Sequence, residues 1–165
     1  MAATYTPIAS ITLGAAAASV TFSSIPQTYT DLVLVQTSTN TGSGGTAGVE
    51  IQFNGDTGTN YSCTEILGNG SSASSTRLSS STFINAGASS SANQTNSIYH
   101  IMNYANATTN KTLLCRANDP GSFLRLVVGL WRNTSAVSSI RVYHPTNIFA
   151  AGATFNLYGI LGANA

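Results

Sequence analysis

Apolar and polar residues alternate with a period of two along much of this chain. Leu124, Leu126, Val128 and Leu130 fall on one side of an extended segment, and Arg125, Val127, Gly129 and Trp131 fall on the other, because successive side chains of a strand point to opposite faces. The first set reads as core. The second is more apolar than a solvated face needs and reads as covered. Further strands are predicted at 8–13, 19–22, 31–37, 49–53, 61–67, 76–84, 97–104, 111–117, 123–131, 137–143 and 154–160. Clusters of Gly, Asn, Ser and Pro separate them, and no stretch repeats apolar residues at helical spacing. This rhythm of short strands and turns predicts an all-β fold, an antiparallel β-sandwich, formed as a single domain over residues 1–165.

Within that frame, the run from Asp31 to Gln36 has the continuous apolar character of a central strand covered on both faces, by a second sheet or by a partner. Asn54-Gly55 after Phe53 is a strong two-residue turn signal. The loop at 41–48 is small and uncharged. It matches neither GxGxxG nor a Walker A pattern, so phosphate binding has no support. The Ser-rich stretches 71–75 and 89–92 read as surface loops, or as tips that become ordered on assembly.

Composition narrows the function classes. Charged residues make up 7% of the 165 residues and apolar residues 42%, with 6 Lys+Arg against 5 Asp+Glu and a formal net charge of +1; a soluble domain typically has about 25% charged residues. The exterior is therefore mostly Ser, Thr, Asn and Gly. Such a surface neither repels copies of itself nor attracts polyanions, which suits a subunit held in an assembly. The few cations form no cluster in the sequence, so nucleic acid is not an expected partner. Leu32 to Val35 is far short of the roughly 20 apolar residues that span a bilayer, so no membrane span is expected. The segment from Ile11 to Val20 lacks the basic start of a signal peptide, with no Lys or Arg before Arg77, and reads better as two short strands. Asn-x-Ser/Thr triplets at Asn60, Asn69, Asn93, Asn106, Asn110 and Asn133 carry little weight without an export signal. Cys63 and Cys115 are too far apart for a CxxC site and read as buried thiols rather than a bridge.

Candidate chemistry is sparse. Asn54, Asp56, Gly58 and Asn60 present oxygens at alternate positions, as a calcium loop does, but the carboxylates are too few, and a hairpin turn held by Asx side chains is the better reading. Glu50 and Glu65 are the one Glu pair a glycosidase could use. His100 and His144 lie near no second metal ligand, and His144 reads as a strand-end histidine with a satisfied hydrogen bond. No GxSxG elbow is present. The chain reads as non-enzymatic, without cofactor or metal. Most of the 7 Tyr read as core. Trp131 and Arg132 near a strand end, with Val127 and Tyr29, form the candidate partner interface, since aromatics and Arg suit protein surfaces or carbohydrate rings.

Five phrases together carry a resemblance: FSSIPQTYTDLVLV (22–35), FNGDTGTNYS (53–62), NYANATTNKT (103–112), GLWRNTSAVSSIRVY (129–143) and FNLYGI (155–160). They resemble small virion structural proteins of tailed bacteriophages. The resemblance implies a jelly-roll sandwich on the phage particle, assembled in the host cytoplasm and often trimeric. Such a protein cements or decorates the capsid through contacts with the major capsid protein or other virion proteins. The alternative it implies is a tail-fibre module that binds a receptor or glycan. It carries over no catalytic residues.

Overall fold

The computed structural model describes residues 4–43 and 45–162, and its strands form two antiparallel sheets. The larger has eight strands, in the order β1 (Thr6–Thr12), β12 (Thr154–Ile160), β3 (Asp31–Ser38), β8 (Thr95–Met102), β9 (Lys111–Asp119), β10 (Phe123–Trp131), β5 (Tyr61–Gly68) and β6 (Ala73–Ser81). The smaller has β2 (Ser19–Phe22), β11 (Ile140–Tyr143), β4 (Thr46–Phe53) and β7 (Ile84–Ser90). From β2 to β12 the chain passes back and forth between the sheets, which is the winding of a jelly roll. Where a minimal jelly roll has one strand between β3 and β5, this chain lays down three, β8 to β10. The all-β antiparallel sandwich expected from the alternation is the observed fold.

The core lies between the sheets. Leu32, Leu34, Ile51, Phe53, Ile84, Tyr99 and Phe155 are completely buried there. At one end the interior is polar and largely hydrogen-bonded, the buried Ser89 hydroxyl being left without a partner. Gln36 donates to the Ser38 hydroxyl (2.8 Å) and to the Ala88 carbonyl (3.1 Å), and its side-chain oxygen accepts from the Tyr99 hydroxyl (2.6 Å). Thr95 also donates to Ala88 (3.0 Å), and the Ser97 hydroxyl accepts from the Ala88 amide (3.1 Å). These bonds tie β3 and β8 to β7 across the layers, where apolar contact alone would leave backbone groups of β7 unpaired.

Several expectations need correction. Residues 84–90 are a full strand, β7, and Ser89 and Ser90 are buried, so these two of the residues read as a surface loop belong to the interior, while Ser91 and Ala92 stay exposed beyond the strand. Residues 132–139 lie outside any strand and are pinned by Asn54. Its side-chain oxygen accepts from the Ser138 and Ser139 amides (2.8 and 3.0 Å), and its amide donates to Ala136 (2.8 Å). Asn54-Gly55 is a tight turn with both residues at positive φ (52° and 67°), as a primed turn requires. It leads from β4 into β5 of the other sheet, so it closes no hairpin.

The largest correction concerns β10. Leu124, Leu126 and Val128 point outward, while Arg125, Val127, Gly129 and Trp131 point into the sandwich. Gly129 leaves room for Ile84 of β7, whose Cγ2 would lie 2.7 Å from a Cβ at that position. Trp131 fills the space beyond it. Arg125 enters the interior as an ion pair with Glu65 and donates to the Gly87 and Asn85 carbonyls (3.0 and 3.1 Å).

Candidate functional site

With β10 in this phase, the outer face of the eight-stranded sheet carries an apolar patch. Ile66 on β5, Leu124, Leu126 and Val128 on β10, and Leu114 on β9 are 46–58% exposed. Register brings them together: Leu126 lies opposite Ile66 on one side, and Val128 lies opposite Leu114 on the other. From Leu124 to Leu130 along β10, and from β8 to β5 across the sheet, the patch spans roughly 20 by 15 Å, or about 300 Å². That matches the largest apolar patch of a typical monomer, which is often functional. A groove of about 250 Å³ continues it toward β3, lined by Leu126, Leu114, Arg116, Ile98, His100 and Tyr5 among others. Among the described residues, the charged or ionisable groups around the patch are Arg77 on β6, which lies opposite Thr64 beside Val128, Arg116 on β9, and His100, whose Nε2 sits 3.2 Å from Asp31.

The predicted partner residues fall in three different places. Trp131 and Val127 are buried, at 1% exposure each, because they belong to the inward set of β10; neither can meet a partner. Tyr29 is half-buried, its ring lying over Gly159 of β12 where no side chain could fit. Arg132 is exposed and donates to the Ser62 hydroxyl (3.0 Å). These residues do not form one surface. Alternation separates the two sets of β10 but does not decide which faces out, because both are apolar and the all-aliphatic one is left outside.

The candidate chemical groups are each engaged in structure. Asp56 accepts from Trp131 Nε1 (2.7 Å), Asn60 Nδ2 (2.9 Å) and the Gly58 amide (2.8 Å). Burial alone would raise its carboxyl, but these donors hold it below the ordinary carboxylate range. The 53–62 loop is thus an Asx-type turn whose carboxylate faces donors. Among the described residues no group of three His, Cys, Asp or Glu could hold a metal. Glu50 lies in β4 of the small sheet, its carboxyl raised by burial and only partly relieved by Tyr143 and Arg141. Glu65 lies in β5 of the other sheet, bound to Arg125 and to the Thr76 hydroxyl (2.7 Å), so the two carboxylates belong to separate networks. Cys63 and Cys115 are free and buried. His144 does share the inward face of β11, but neither ring nitrogen has a hydrogen-bond partner, contrary to the satisfied histidine expected.

Fold and site thus define an all-β jelly-roll sandwich with an unpartnered apolar sheet face. No protein-family model matches the chain, and no curated protein matches it. Among solved structures, an exo-inulinase from Aspergillus awamori is similar at 11% identity and a TM-score of 0.44, covering 94% of this chain and 29% of the enzyme. This chain therefore spans under a third of that protein. The CBM40 of a Ruminococcus gnavus IT-sialidase is similar at 10% identity and a TM-score of 0.34, covering 96% of this chain and 93% of that one. These likenesses say nothing of what this chain binds.

Proposed function

We propose that this protein is a non-enzymatic structural protein of a bacteriophage virion, a capsid cement or decoration protein that binds the assembled shell as a homotrimer. The observation that carries the assembly reading is the apolar outer face of the eight-stranded sheet. Its occupant is a second copy of the chain. A net charge of +1 gives copies little to repel each other, and the face carries aliphatic side chains with hardly any charge. The patch supplies under half of the ~800 Å² that each partner buries in a standard interface, and the Ser, Thr and Asn residues around it complete the rim. Closed symmetry then consumes a surface that would otherwise aggregate. The virion setting is supported by the resemblance of the five phrases. A cement protein needs no chemistry, since binding only the assembled shell stabilises that shell by mass action.

The test is the solution mass of the protein by light scattering over a range of concentrations, for the wild type and for a Leu126→Asn, Val128→Asn double variant. Each buried Leu or Val is worth about 1.5–3 kcal/mol, so the variant should associate at least about a hundredfold more weakly. Both positions are exposed in the monomer, so the unfolding free energy of the variant should move by no more than about 0.5 kcal/mol per site. A wild type that stays monomeric at every concentration and also fails to bind assembled shells would end the proposal.

A further inference from the structure

A concavity of about 620 Å³ lies at one end of the eight-stranded sheet, beyond the apolar patch. Its floor is one row of cross-strand neighbours, Asn96 on β8, Asn118 on β9 and Leu124 on β10. Its walls are two tight turns. In the β5–β6 turn, Asn69 accepts from the Ser71 and Ser72 amides (3.0 and 2.8 Å). In the β9–β10 turn, Asp119 accepts from the Gly121 amide (3.0 Å) and from Asn93 (2.9 Å), and the Ser122 amide donates to the Asp119 carbonyl (2.9 Å). The walls are therefore held before any ligand arrives, which lowers the cost of binding.

The chemistry on offer is polar and almost uncharged. Asp119 is the one acidic side chain in the lining, and it is buried and committed to Thr46, Asn93 and Gly121. The side-chain oxygens of Asn69, Asn96 and Asn118 are each occupied inside the protein. Their amide groups remain as donors, joined by the Ser122 hydroxyl. Leu124, 57% exposed, and Phe123 supply an apolar wall. A polyanion would find no cation in this lining, and a cation no free carboxylate. Donors set beside exposed carbon match a sugar ring, whose hydroxyls accept hydrogen bonds while its C–H groups pack on carbon. We infer that this end groove is a binding site for a neutral oligosaccharide. In a multi-copy assembly the groove recurs on every subunit, and linked sites bind a repeating polysaccharide more tightly than one site does.

The experiment is a glycan array of neutral oligosaccharides probed with the intact chain, followed by titration calorimetry with whichever neutral oligosaccharide gives the strongest signal. Wild type should bind at least one neutral class, and raising the salt should leave that binding unchanged. Asn96→Ala combined with Asn118→Ala should weaken it tenfold or more while the unfolding curve stays as in the wild type. Wild-type silence on the array, capture only of charged glycans that salt abolishes, or binding that survives the double variant would each overturn the inference. Solution mass measured on the same samples keeps the two readings apart. An oligomer that binds no sugar removes only this site, whereas a monomer that binds sugar through it but fails to bind assembled shells removes the assembly reading instead.

Discussion

Trp131→Ala should lower the unfolding free energy by roughly 3–5 kcal/mol, the usual cost of emptying a large aromatic site in a core. A domain of this size has about 5–15 kcal/mol in total. The indole stacks on Tyr61 with ring centroids 6.2 Å apart and planes 14° from parallel, and it tilts against Phe53 at 5.6 Å. Its N–H reaches Asp56, so truncation also strands a carboxylate that the turn had arranged around that donor. Trp131→Phe separates the two contributions. It keeps most of the apolar volume and loses the hydrogen bond, and should cost about 1–3 kcal/mol. Urea unfolding followed by circular dichroism measures both. If Trp131→Ala left the unfolding midpoint where it is and reduced only the solution mass, Trp131 would be the partner-facing residue that its position at a strand end first suggested, and the observed phase of β10 would be wrong.

That phase marks the boundary of what alternation reveals. A period of two sorts residues into two sets, and for most strands one set is plainly polar. In β2, Val20 and Phe22 go inside while Ser19 and Thr21 stay out. In β10 both sets are apolar, and the choice is made by packing across the sheets: Gly129 accepts Ile84 and Trp131 fills the space beside Tyr61. Neither fact is local to the strand. The bounds of β2, β10 and β12 were legible to the residue because apolar runs end at Gly, Asn or Pro clusters. Strand β7 was not, because INAGASS offers one large apolar side chain and Ala88 at its centre is bonded by Gln36, Thr95 and Ser97 on distant strands, the first two donating and Ser97 accepting.

The candidate site shows the same division. That the surface would carry little net charge followed from composition, and the aliphatic row of β10 was visible as a row. Its exposure was not, since an all-aliphatic stripe is ordinarily the buried one. The end groove was invisible because its floor residues, Asn96, Asn118 and Leu124, are adjacent only through register.

Acid should destabilise this fold above the ordinary carboxylate range, and His144 is the cause. The ring is buried, packs on Phe149 at 4.6 Å, and has no partner for either nitrogen. Burial pushes its pKa down from 6.5 to about 4, opposed only in part by the Gly48 backbone. Between those values the unfolded chain binds a proton that the folded chain does not, so stability falls as pH falls from about 7 and levels off near 4. The difference of 6.5 and about 4 corresponds to roughly 3 kcal/mol at about 1.4 kcal/mol per unit. Glu50 works in the opposite direction over part of this window, because its raised carboxyl takes up a proton more readily in the folded chain. Asp56 and Asp119, both held low, add their own losses only as pH falls below the ordinary carboxylate range. Urea midpoints measured at steps from pH 7 to pH 4 should therefore decline steadily in the wild type. His144→Leu removes the titrating ring and two unpaired nitrogens, so it should match or exceed the wild type at pH 7 and flatten the decline. A variant that loses stability with the same slope would assign the acid sensitivity to the carboxylates and leave His144 as packing alone.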